Sequence, residues 1–285
     1  MRLNYDEFGA RVSDRCQRSG TFTSMHELDE FLTRPNAAVA DDVANSLGGG
    51  PIDPHTQLSV DEPARLLDPG YLDVENGFCT NRDGSGFVAV LTQMPGVTAE
   101  MIDWWFDWHP HDPMRYRIWF PAEHFDISFE PAVNPGAKPF QNTIHRPIED
   151  VGLGKSRIRI EFVEPEAFGF PSGDFPGSVC STIICGYAGD DKLKVRHTRM
   201  CHIVRDVAGG VELRSRFWIG TPMSLYSNSP IARPVNRILN TKFVRSRAVP
   251  ARAPKALAHH CAQEYVNLAA ILPELWNRYG AKTES

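Results

Sequence analysis

The chain has 285 residues, 42% of them hydrophobic and 10% aromatic, which is enough to bury one large core or two modest ones. A formal net charge of -5 with no long run of like charge excludes a basic arm for nucleic acid, and no 18 consecutive apolar residues suggest a membrane span. A small-molecule role is the remaining expectation.

The first residues, "MRLNYDEFGARVSDR", are charged throughout and lack the apolar core of a signal peptide, so a cytoplasmic location is expected. "TSMHELDEFLT" reads as a short helix capped by Ser24, followed by the Gly/Pro-rich "SLGGGPIDP" and the turn-rich "ENGFCTNRDGSG". Residues 1–95 are therefore expected to form a smaller, largely helical and irregular region, and residues 96–285 the main domain.

Thr98 caps a predicted helix over "TAEMIDWWFDWH", after which Pro110 and Pro113 make a loop of His109 and His111. In "MRYRIWFP", Tyr116, Ile118 and Phe120 alternate with Arg115, Arg117 and Trp119, which predicts a strand with its apolar face on the tyrosine side. Further strands are predicted at "SRIRIEF", "SVCSTIICGY", "KVRHTRMCHIVRDV" and "VELRSRFWIG". In the first of these, Ile158, Ile160 and Phe162 share one face and Glu161 lies on the solvated arginine side. The last two flank "AGG" at 208 to 210, a hairpin signal. The final element, "APKALAHHCAQEYVNLAAIL", is helical, with Pro254 in its first turn and Pro273 limiting or kinking its end. Strands gathered before one long C-terminal helix predict an α+β fold whose antiparallel sheet curves around that helix.

The six cysteines (Cys16, Cys79, Cys180, Cys185, Cys201 and Cys261) show no C-x-x-C pair and read as buried free thiols. No Walker loop, G-x-G-x-x-G or G-x-S-x-G occurs, so nucleotide binding and α/β-hydrolase chemistry lack a sequence handle.

The C-terminal helix carries the chemistry. At about 100° per residue, Leu257, His260, Glu264, Leu268, Ile271 and Leu275 share one stripe, while His259, Gln263, Asn267 and Glu274 fall on another. His260 and Glu264 are thus expected on the buried face, with His259 pointing to water. A carboxylate in an apolar stripe needs a cation, a donor or a metal. The pair alone permits either a His–Glu hydrogen bond filling a polar hole or two ligands of a metal site. The second reading requires further ligands, for which His109, His111, His124, His145, Glu149, Glu161, His197 and His202 are candidates.

Together, "RYRIWFPAEH", "IEDVGLGKSRIRIEF", "HIVRDVAGGVELRSRFWIG" and "HCAQE", spanning about Trp104 to Trp276, resemble the 2,4-diacetylphloroglucinol hydrolase and phloretin hydrolase family. The resemblance implies a helix-grip fold like that of the birch-pollen allergen Bet v 1, and hydrolysis of the carbon–carbon bond between an acyl group and a polyhydroxylated aromatic ring. It also implies one zinc ion per chain, held by His124, Glu149, His260 and Glu264, and a homodimer. By the same resemblance Tyr116 would hydrogen-bond a ring hydroxyl; His202 reads equally as a second polar contact or as a histidine satisfied within the sheet, and one of the two glutamates, Glu149 or Glu264, would double as a proton carrier. Ile127 and Phe217 stand where the family pattern would have a polar residue and a phenol. Two other readings stay open: a non-catalytic helix-grip carrier of an apolar aromatic ligand, and a metal hydrolase of another β-diketone.

Overall fold

The computed structural model describes residues 25–173, 180–227, 230 and 232–280. Ser24, Cys16 and the start of "SVCSTIICGY" lie outside them. Helices α1 (Met25–Leu32) and α2 (Asp41–Gly48) precede the first two strands, β1 (Gly77–Thr80) and β2 (Gly86–Pro95). Next come α3 (Ala99–Trp108), α4 (Pro113–Trp119), β3 (His124–Glu130), β4 (Ile144–Glu149), β5 (Ser156–Val163) and the single turn α5 (Pro165–Phe168). Strands β6 (Thr182–Asp190), β7 (Val195–Val207) and β8 (Gly210–Leu225) lead to α6 (Ala232–Leu239), α7 (Lys242–Ala248) and the 27-residue α8 (Ala253–Tyr279).

Among the described residues, eight strands form one antiparallel sheet in the order β1-β2-β8-β7-β6-β5-β4-β3. This is the helix-grip arrangement: one face of the sheet wraps α8, and Val88, Val90, Ile184, Val204, Leu213 and Phe217 share a core with Cys261, Tyr265, Leu268, Leu272 and Leu275. The opposite face is covered too. Phe87, Ala89, Ile183, Cys201, Ile203 and Trp218 pack with Leu58, Leu66 and Phe168. A strand buried on both faces can lose its apolar/polar alternation, as β6 does in "TIICGYAGD", whereas β7 and β8 keep it because Arg205, Glu212, Arg214 and Arg216 lie buried on the second face as ion pairs. None of the described helices is long and apolar enough to cross a membrane, and the five described cysteines are buried and free.

Several expectations need correction. The segment around Tyr116 is helical, not a strand. Pro113 sits in the first turn of α4 and the Asp112 side chain accepts a 2.8 Å bond from Met114 N–H, a complete helix start that overrides the alternation from Arg115 to Phe120. Residues 77–80 and 86–95 are strands, and β2 pairs with β8 over its whole length, so a division at residue 95 cuts through paired sheet. "NRDGSG" is the turn between β1 and β2, held by Asp83 accepting from Ser85 N–H. Pro273 lies inside α8, which continues to Tyr279. His109 and His111 occupy a 3-10 turn, with His109 buried. Glu161 is largely buried and paired with Arg159 and Arg196.

The second stripe of α8 is polar but not uniformly solvated. His259 is exposed. Gln263 donates to Ala37 C=O, Asn267 accepts from Ala37 N–H, each at 2.7 Å, and Arg34 pairs with Glu274. The segment after α1 thus straps the outer side of α8.

Candidate metal and ligand site

The first residue of β3, His124, and the last residue of β4, Glu149, are cross-strand neighbours. Glu149 therefore sits at a strand end. The turn before β3 is closed by His124 N–H bonding Phe120 C=O at 2.9 Å. After Glu149, the Asp150 carboxylate accepts from the backbone N–H groups of Gly152, Leu153 and Gly154. Gly152 has φ +80°, and a Cβ there would come within 3.1 Å of Ala256, so the glycine of "EDVG" lets the β4–β5 hairpin lie close against α8. From α8, His260 and Glu264 project one turn apart on the buried face.

Ligand atoms of His124, Glu149 and His260 all lie within 4.8 Å of one another. Glu264 Oε2 is 3.6 Å from His124 Nε2 and 3.7 Å from His260 Nε2, and Glu149 Oε2 is 3.7 Å from His124 Nε2. These three separations are a few tenths longer than the roughly 3.3 Å edge of a tetrahedron with metal–ligand bonds of about 2.0 Å, while Glu264 lies outside the group of three whose ligand atoms are all within 4.8 Å of one another.

The two imidazoles are oriented alike. His124 Nδ1 lies 3.3 Å from Tyr116 C=O and His260 Nδ1 lies 2.5 Å from Glu123 Oε2. Each is satisfied by placing the proton on Nδ1, which turns a bare Nε2 toward the shared centre, the arrangement metal-binding histidines adopt. His124 Nε2 is buried with no hydrogen-bond partner among the described residues. An orphaned acceptor beside two carboxylates fits a divalent cation: two neutral imidazoles and two carboxylates would cancel its charge.

The electrostatics show the strain of these groups by themselves. Burial pushes the Glu264 carboxyl up to about 8, opposed by His260 and reinforced by Glu149 and Glu123. Burial disfavours the His260 imidazolium, yet Glu264, Glu123 and Glu149 together hold its pKa at about 9. His124 moves the other way, well below the usual histidine range, because burial and the neighbouring His260 both oppose a positive charge.

Tyr116 stacks on His124 with ring centroids 4.2 Å apart and 4° between the planes, and its hydroxyl donates to Glu149 Oε2. Burial and that carboxylate keep its pKa well above the phenol range. Trp119 Nε1 donates to Glu264 C=O at 2.8 Å, joining α4 to α8. His202 is not part of the ligand cluster. It is held between Ser215 Oγ at 2.8 Å and the Tyr265 hydroxyl at 3.1 Å, with burial lowering its pKa to about 3.

A cavity of about 250 Å³ runs from this cluster between the sheet and α8, walled by Phe106, Ile160, Phe162, Met200, Phe217 and Leu257. Tyr116, His202 and Ile127 also line it, as do His109 and His145, both pushed to low pKa chiefly by burial. The sequence reading missed Glu123 and Trp119. The acid immediately before His124 was a usable signal for the first, whereas nothing local marks Trp119 as the tie to α8.

The family model described as "DAPG hydrolase PhiG domain" matches residues 58–277. Phloretin hydrolase of Eubacterium ramulus is 34% identical over 240 residues, covering 81% of this chain and 82% of that protein. The 2,4-diacetylphloroglucinol hydrolases of a Pseudomonas sp. and of Pseudomonas protegens are each 27% identical over 240 residues, covering 78% of this chain and 77% and 74% of those proteins.

Proposed function

The chain belongs to the DAPG hydrolase PhiG domain family, and from that premise we propose that it is a zinc-dependent hydrolase of acylated polyhydroxyaromatic ketones. It cleaves the bond between the acyl carbon and the ring and releases a carboxylic acid. The observation that carries this reading is the meeting of His124, Glu149, His260 and Glu264 at one end of an aromatic-walled cavity, with the bare Nε2 of His124 facing both carboxylates.

Zinc held by these four residues would supply Lewis acidity toward the acyl oxygen and a lowered pKa for water. The remaining work falls to the chain. In the overall reaction the oxygen of water goes to the acyl carbon and one proton goes to the ring carbon. A ring carbon leaves poorly unless a neighbouring hydroxyl tautomerises, so that the electrons of the breaking bond enter an enolate. Tyr116 keeps its proton at neutral pH and can donate it to a ring oxygen as that charge develops. His202, uncharged and fixed by Ser215, can exchange its Tyr265 contact for a second ring oxygen. Phe106, Phe162 and Phe217 exclude water around the ring.

Elemental analysis followed by incubation with phloretin and 2,4-diacetylphloroglucinol tests the reading. About one zinc per chain and release of the corresponding acid are expected. Protein that binds these ketones tightly without metal and returns them unchanged is a carrier, and the hydrolytic reading then falls.

Two further outcomes are expected. Glu123→Ala, which removes the carboxylate orienting His260, should weaken zinc affinity by about 10–100-fold in competition with a chromophoric chelator. Unchanged affinity would show that His260 needs no such partner. Loading at neutral pH must also displace protons, because without metal His260 holds one up to about pH 9 and Glu264 up to about pH 8. Affinity should rise from pH 6.5 toward 9, with proton release visible as a buffer-dependent enthalpy in calorimetry. A flat profile contradicts this assignment.

A further inference from the structure

The cavity wall formed by β7 holds a polar pair that the proposed chemistry leaves unused. Arg196 pairs with Gly189 and Ser224, Thr198 pairs with Ala188 and Ile219, and His197 between them has no pairing partner on either neighbouring strand. A bulge of this kind takes a side chain out of the strand's alternation, and both His197 and the buried Thr198 line the cavity. His197 Nδ1 lies 2.9 Å from Thr198 Oγ1, while Nε2 has no hydrogen-bond partner among the described residues. Burial lowers the pKa of this imidazole against the pull of Asp190, so it is neutral at neutral pH. The Asp190 carboxylate is itself engaged by Leu193 N–H at 2.6 Å.

β7 is three strands from β4, which carries Glu149. At about 4.8 Å per strand, the β7 wall that carries His197 lies roughly 14 Å from β4 measured across the sheet. The intervening wall is apolar, with Ile158, Ile160, Val249 and Leu257. A passage of this kind, ending in one imidazole, suits an apolar arm with one terminal polar group. The hydroxyls of the ring are met instead by Tyr116 and His202, as in the chemistry proposed above.

We infer that His197 is a specificity-determining residue that hydrogen-bonds a hydroxyl at the far end of the substrate's acyl arm. The inference rests on the hydrolytic reading above, which places the acyl carbonyl at the ligand cluster. An arylpropanoyl arm ending in a phenol, as in phloretin, spans roughly 8 Å from carbonyl carbon to phenol oxygen at ordinary bond lengths. A hydrogen bond of about 3 Å then takes it most of the way across. An acetyl arm stops far short.

The test compares phloretin with 2′,4′,6′-trihydroxydihydrochalcone, which differs only in lacking the distal hydroxyl. The natural protein is expected to favour phloretin about fivefold in kcat/KM, the size of one net hydrogen bond. His197→Leu should abolish that preference through KM, His197→Gln should keep part of it, and turnover of 2,4-diacetylphloroglucinol should stay within about twofold in both variants. The same ligand ratio, read as Kd from quenching of tryptophan fluorescence, requires no turnover. A preserved preference in His197→Leu, or equal loss on all three substrates, overturns the assignment while leaving the hydrolytic reading intact. Binding with the expected ratio but no hydrolysis supports His197 and overturns the reaction. Failure to bind either dihydrochalcone overturns both.

Discussion

His260→Ala is expected to strip the protein of stoichiometric metal and to lower turnover of an acylphloroglucinol by more than about 100-fold, since even outer partners of metal ligands are worth 10–100-fold. Glu264→Ala should do the same, and His259→Ala should leave both quantities within about twofold. The contrast comes from helical phase. His260 and Glu264 are buried one turn apart with Oε2 and Nε2 separated by 3.7 Å, whereas the neighbouring His259 is exposed. Zinc content by elemental analysis, turnover by chromatography and folding by circular dichroism separate loss of the site from loss of the protein. Equal defects in all three variants would sink the assignment. So would full activity in a folded, metal-free His260→Ala protein.

Glu75→Ala is expected to cost about 3–5 kcal/mol of stability, the usual penalty for stranding buried charge. At about 2–4 °C per kcal/mol for a chain of this size, thermal unfolding should begin some 6–20 °C lower. Glu75 Oε1 accepts from Arg214 and Oε2 from Arg216, both at 2.6 Å, and the two guanidiniums are fully buried under the sheet. Burial alone would raise the Glu75 pKa, yet the two arginines hold it below the ordinary glutamate value. Its contribution is therefore present at neutral pH and is lost as pH falls through that depressed value. Glu75→Gln, which keeps an acceptor but no charge, should fall between the two proteins. A melting curve for Glu75→Ala that overlays the natural one would mean that the arginines find other acceptors.

Glu75 also bears on how the chain is organised. It lies in the segment read from sequence as irregular and separate from the main domain, yet it neutralises two arginines of β8. The family match likewise begins at residue 58, inside that segment. Gly and Asn density made residues 75–86 look like loop, although "NRDGSG" is only the turn of a hairpin whose second strand pairs with β8 across ten residue pairs. Local composition records the turn. It does not record the partner strand more than a hundred residues later.

Some features were determined by sequence alone. The period of α8 separated His260 and Glu264 from His259 because 3.6 residues per turn leaves no freedom about which side chains share a face. Thr98 caps α3 as its place before the helix predicts, its hydroxyl accepting from Met101 N–H at 3.3 Å. The strands β5, β7 and β8 and the hairpin at Gly209 followed from alternation and a turn that favours positive φ. Other features depended on tertiary structure. Around Tyr116, seven residues fit either a strand or two helical turns, and the cap at Asp112 with Pro113 decided for the helix. That helix stacks the tyrosine on His124 and delivers its hydroxyl to Glu149. The convergence of His124, Glu149, His260 and Glu264 is likewise tertiary, since a strand start, a strand end and a distant helix meet only when the sheet closes around α8. Spacing along the chain says nothing about such distances, and the burial that raises the Glu264 pKa and lowers that of His124 exists only once the sheet and helix have packed.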